Sequence, residues 1–71
     1  MNNMKKYKKD DKVRVVANET VPNDLNIPFH YYEIGEIVRV TRVTRHVIYC
    51  LNSKGLNQAL KPTHIEPIKN Q

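Results

Sequence analysis

"IVRVTRVTRHVIYCL", residues 37–51, decides how this chain folds. Val38 and Val40 alternate with Ile37 and Arg39, the period of two expected of a strand with one buried face. The valines take the inner face, because that parity places no charge between β-branched neighbours, and Arg39 then points outward. Strict alternation would carry Arg42 inward, where an unpaired guanidinium is too costly to bury. The strand must therefore bend, bulge or end near Thr41–Val43. "RVTRH" then reads as a turn or hairpin tip, so the arginine spacing of three in "VRVTRVTR" is no periodic motif. "HVIYCL" resumes as a strand with Val47, Tyr49 and Leu51 opposite His46, Ile48 and Cys50, and Tyr49 is expected to be buried with Val47 and Leu51.

Working outward, "NSKG" is a turn in which Gly55 supplies positive φ. "LNQAL" alternates again, "KPTH" suits one 3₁₀ turn with Pro62 near its start, and "IEPI" is a last short edge strand. On the other side, "KVRVVA" alternates Val13, Val15 and Ala17 against Lys12, Arg14 and Val16. The long intervening stretch "NETVPNDLNIPFHYYE" has two prolines and no sustained period, so it reads as a loop. Its apolar residues Val21, Leu25, Ile27 and Phe29 indicate that it packs against the body. Gly35 permits a bend where the next strand begins. No segment has the pattern of an amphipathic helix.

The expected fold is thus all-β: a small five-stranded barrel with a long early loop and a 3₁₀ turn before the last strand. Seventy-one residues make one domain, near the lower limit for folding without staples. The expected organisation is a flexible basic tail at 1–9, the barrel at 10–68 and a short tail at 69–71. One cysteine excludes an internal disulfide and fits a reducing, cytoplasmic setting. "MNNMKKYKK" is polar and basic with no apolar run after it, which argues against a signal peptide, and no stretch has the length of a membrane span.

The net charge of +5 is unevenly spread. Lys5, Lys6, Lys8 and Lys9 stand without an acid in the first nine residues. Residues 10–36 set six acidic side chains against Lys12 and Arg14. Residues 37–65 hold Arg39, Arg42, Arg45, Lys54 and Lys61 with no acid at all. Such asymmetry marks either a binding face or two halves that attract each other.

The order of elements resembles the SH3-like barrel over roughly residues 11–68. "ALKPTHIEPI" is similar to the SH3 ending, in which a 3₁₀ turn leads into the final strand, and "NETVPNDLNIPFHYY" stands where SH3 domains carry their RT loop. The chain also resembles small SH3-like proteins of prophages and mobile elements in low-GC Gram-positive bacteria. The matching stretches are Lys12–Val15, Gly35–Val40 and Leu60–Ile68. The resemblance implies a phage-type setting and no particular activity. Proline-peptide binding is not implied: there is no Trp to line the groove, and Ile65 follows His64 where SH3 domains place a Tyr.

No catalytic signature is present, and no cofactor or metal-ligand spacing. His30, His46 and His64 are scattered along the chain, and Cys50 sits mid-strand among apolar neighbours. The reading is therefore a small non-enzymatic binding module that meets its partner through the basic second half. Arg39, Arg42, Arg45, Lys54 and Lys61 are the candidate basic contacts, guanidinium groups being suited to bidentate phosphate bonding. Among the aromatics of "FHYY", Phe29 and one tyrosine belong to the core, and the other of Tyr31 and Tyr32 is a candidate contact. The partner is nucleic acid or a host or phage protein with an acidic surface. A phage regulator or anti-defence inhibitor would be an example of the protein-binding kind. Membrane binding is not expected, and assembly through edge strands is a third possibility.

Overall fold

A computed structural model describes residues 7–20 and 27–68. Five strands form one antiparallel sheet: β1 (Lys12–Val15), β2 (Ile37–Val43), β3 (Ile48–Leu51), β4 (Asn57–Leu60) and β5 (Ile65–Pro67). Their spatial order is β4-β3-β2-β1-β5. Pro62–His64 form the 3₁₀ turn between β4 and β5. No ladder joins β4 to β5 among the described residues, so the sheet is open at those edges. The described residues contain no helix long and apolar enough to cross a membrane.

The inner face carries Val13 and Val15 of β1, Val38 and Val40 of β2, Ile48 and Cys50 of β3, Leu60 and Ile65, all buried. Burying an aliphatic side chain of this size contributes about 1.5–3 kcal/mol, so this one layer is the main source of stability. Tyr32 and Tyr7 complete the cluster.

The β2–β3 ladder contains the irregularity that the arginine parity requires. Arg39 pairs with Leu51 and Val40 with Cys50, then Arg42 pairs with Tyr49 and Val43 with Ile48. Thr41 is the extra residue of a bulge, and its hydroxyl donates to the Tyr49 carbonyl at 3.3 Å. Alternation resumes one residue later, so Arg42 is exposed and Val43 packs on the core. The strand runs through Val43, and the turn itself spans residues 44–47. There the Thr44 hydroxyl accepts from the His46 and Val47 amides.

Tyr49 differs from its expected place. Pairing of Cys50 with Val40 and of Ile48 with Val43 puts those two residues on the valine face. Tyr49 consequently lies on the outer face, half-buried, with Leu51. The "HVIYCL" run is apolar on both sides, and a one-residue choice of register exchanges its faces.

Tyr7 also departs from expectation. It lies in the stretch assigned to the basic tail, yet it is only 6% exposed and its hydroxyl donates to the Ile65 carbonyl at 3.3 Å. Immediately after it, the Asp10 amide donates to Val40 O and the Val40 amide to Asp11 O. Asp10 takes φ +76° to make this turn, in the left-handed region that Asp enters more readily than most residues. The folded body therefore begins by Tyr7.

The two limbs of the long loop are tied together. Asn18 accepts from the His30 amide and donates to the His30 carbonyl, Thr20 bridges to Pro28, and the Phe29 amide donates to Glu19 O. Phe29 is half-buried and Tyr32 buried. Val21 and Leu25 lie outside the described residues.

Candidate functional site

Strand registers assemble the outer face of the sheet. Lys12 stands opposite Arg39, and Arg39 opposite Leu51, which stands opposite Asn57. In the next rank Arg42 faces Tyr49, and Tyr49 faces Ala59. On the other side Arg14 faces Ile37 and Glu66. One continuous face thus carries Lys12, Arg14, Arg39 and Arg42 around the half-buried Tyr49 and Leu51. The bulge at Thr41 is what allows Arg39 and Arg42, three residues apart, to share it.

These cations are not equally available. Arg39 Nη1 lies 3.1 Å from Asp10 Oδ1, and Arg14 Nε lies 3.9 Å from Glu66 Oε2. Exposed pairs of this kind contribute no more than about 1 kcal/mol, so a polyanion can compete for them. Lys12 and Arg42 form no ion pair among the described residues. The Arg42 guanidinium lies 5.8 Å from the Tyr49 ring centroid, a cation–π contact that orients its N–H fork while leaving it exposed.

The other candidate residues separate. Arg45 lies exposed in the turn after β2, next in chain to this face, whereas Lys54 lies in the turn after β3. The length of β3 stands between those two turns, so the five basic candidates do not form one cluster. Lys61 belongs elsewhere: its ammonium pairs with the Glu19 carboxylate and lies 5.2 Å from the Phe29 ring centroid. Tyr31 is 63% exposed. Tyr32 is no surface contact, because its ring is buried and its hydroxyl lies 2.6 Å from Cys50 O and 2.7 Å from Leu56 O. Lys12 and Arg14 are the omissions of the sequence reading. Their outward parity in "KVRV" was visible, but the surrounding acids concealed their contribution.

A second constellation unites residues distant in sequence. The His30 and His64 rings, both buried, meet edge-on with centroids 5.2 Å apart. His30 Nε2 lies 2.8 Å from Ala17 O, and the Tyr32 amide donates to His30 Nδ1. The two contacts give the His30 ring nitrogens opposite roles, Nε2 toward a carbonyl and Nδ1 accepting from an amide. The Lys61 amide donates to His64 Nδ1, leaving Nε2 buried without a hydrogen bond and 3.6 Å from Glu19 Oε2. Burial, then the neighbouring His30, lowers the His64 pKa; Glu19 opposes the shift and Lys61 reinforces it. Among the described residues no group of three or more His, Cys, Asp or Glu side chains could hold a metal ion. Cys50 is buried, and burial pushes its thiol up to about 11, which removes it as a nucleophile at neutral pH.

No protein-family profile, curated protein or solved structure matches the chain.

Proposed function

We propose that the chain is a small non-enzymatic module that holds a nucleic-acid strand against the outer face of its sheet. The observation that carries this reading is the four-cation face built by the β1–β2–β3 registers, with Arg42 stacked on Tyr49. Arg42 supplies a bidentate fork for a phosphate and Lys12 a point charge. Arg39 and Arg14 exchange their exposed carboxylates for phosphate oxygens as the strand docks. Leu51 and the uncovered part of Tyr49 offer an apolar floor to the sugar and base. Recognition is of backbone charge, not of base sequence. The same reading takes the open sheet as an SH3-like barrel arrangement. Its support is the long loop between β1 and β2 and the 3₁₀ turn leading into β5.

Fluorescence polarisation with single-stranded and duplex oligonucleotides over a range of salt tests the function. Binding should weaken steeply with salt, with a slope of about −0.7 per neutralised phosphate on single strands. The Lys12→Ala/Arg42→Ala variant should bind more weakly and flatten that slope by roughly one to two phosphates' worth. Absence of salt-sensitive binding, or a double variant that binds like the parent, would overturn the reading and leave an acidic protein surface as the partner.

A further inference from the structure

The apolar surface points to a second binding site. Tyr31, Ile34 and Leu56 are 63%, 61% and 40% exposed, and they line one groove of about 500 Å³. The groove lies between residues 31–36 and the β3–β4 turn, at the end of β3 away from the Thr44–Val47 turn. We propose that it is a docking site for an extended peptide segment of a partner protein that presents an aliphatic or aromatic side chain next to lysine or arginine.

Both walls are fixed before anything binds. The Tyr32 hydroxyl ties the 31–36 wall to the carbonyls of Cys50 and Leu56. Asn52 Nδ2 donates to Glu36 Oε2 at 3.0 Å, joining the walls a second time. The Asn52 side-chain oxygen accepts from the Lys54 and Leu56 amides and shapes the turn. The Gly35 amide donates to Val15 O, and the Tyr31 amide to Gln58 Oε1. A rigid, partly apolar groove loses little conformational freedom when a ligand enters. At Gly35, φ is +96° and no atom lies within 4 Å of where a Cβ would stand, so the space above the backbone is open.

Charge selects the occupant. Glu33 and Glu36 line the groove with Lys54 as the single cation, so the site favours a basic ligand and repels phosphate. Glu36 spends its oxygens on the Glu33 amide and on Asn52, while the Glu33 carboxylate is exposed at the rim. An apolar anchor seated against Ile34 and Leu56 would place an adjacent ammonium or guanidinium beside these carboxylates. The groove is lined by Glu33 and Glu36 and by none of the four cations of the sheet face, so the two partners need not compete.

Two-dimensional amide NMR of the full chain, titrated with a capped hexapeptide alternating leucine and lysine, tests the proposal. A leucine–glutamate hexapeptide is the control. Saturable shifts at residues 31–36 and 52–56 are expected with the first peptide alone. Ile34→Ser and Glu33→Lys should each weaken binding by about tenfold or more while the spectrum remains that of a folded chain. Both positions are exposed, and thermal melting of each variant verifies folding independently. Lys12→Ala/Arg42→Ala should leave peptide binding unchanged, which separates this site from the nucleic-acid face. Absence of saturable shifts, an equal response to the glutamate peptide, or shifts confined to the sheet face would overturn the proposal. Shifts of the same residues on raising protein concentration without peptide would also overturn it, by assigning the groove to a second copy of this chain.

Discussion

Arg42 stands directly opposite Tyr49 across the β2–β3 ladder, with its guanidinium 5.8 Å from the ring centroid. This pair couples a bulge in the backbone to the position of a charge on the surface. Without the extra residue at Thr41, neither the pairing nor the outward course of Arg42 would follow from the valine pattern.

Tyr49→Leu should leave the fold intact and weaken oligonucleotide binding. Cation–π contacts at exposed sites contribute about 0.5–1 kcal/mol, so a loss of about two- to fivefold in affinity is expected. A double-mutant cycle with Arg42→Ala, read by fluorescence polarisation, checks it: the losses should be less than additive if Tyr49 acts by orienting Arg42.

Tyr7→Phe removes the hydroxyl that reaches Ile65 O and should cost about 0.5–1.5 kcal/mol. Tyr7→Ala also empties a core position and should cost about 3 kcal/mol or more. Urea denaturation followed by circular dichroism measures both. Equal stability of Tyr7→Ala and the parent would contradict the placement of this residue in the core.

Acid should weaken the fold in two windows. The folded-state pKa of His64 is lowered from 6.5, chiefly by burial, so below that value the unfolded chain takes up a proton that the folded chain resists. Stability is therefore undiminished above 6.5 and falls with pH below it until the folded-state value is passed. Glu19 is lowered from 4.5, first by its hydrogen bond with Lys61, so the stability it contributes is present above 4.5 and lost as pH falls through its folded value. Denaturant midpoints at closely spaced pH values test this. His64→Phe should flatten the upper window and preserve the lower one.

Cys50 should be inert to a thiol reagent such as a disulfide chromophore at pH 8 in the native state, and react fully in denaturant. Its thiol is buried and pushed up to about 11, so both access and thiolate are lacking until the sheet opens. Rapid native labelling would contradict its place beside Val40.

Much of the chain was legible because local rules and the core agreed. The outward Arg39, the need for an irregularity near Thr41, the turn at Gly55 and the 3₁₀ turn at Pro62 each followed from one parity or one special residue. Three features were not legible. Tyr7 is a lone aromatic in a lysine run, and a single buried ring has no period to reveal it. Tyr49 lies in a run apolar on both faces, where only pairing with β2 decides. His30 and His64 are joined solely by the fold, through a loop limb and a 3₁₀ turn far apart in the chain. The make-up of the cationic face was only partly legible for a related reason. Charge summed along the sequence singled out residues 37–65, whereas the surface sums charge across neighbouring strands and so recruits Lys12 and Arg14 from the acidic half.

The Tyr7–Ile65 bond has a topological consequence. It brings residues 58 positions apart into contact, so Tyr7 and the start of β5 lie side by side. The order in which the strands are written along the chain is then separable from the sheet they make. A circular permutant in which a short flexible linker joins Ile68 to Tyr7, opened between Arg45 and His46, would keep every ladder of the sheet. It would carry new termini beside the cationic face, a natural position for tethering a reporter to whatever the face holds.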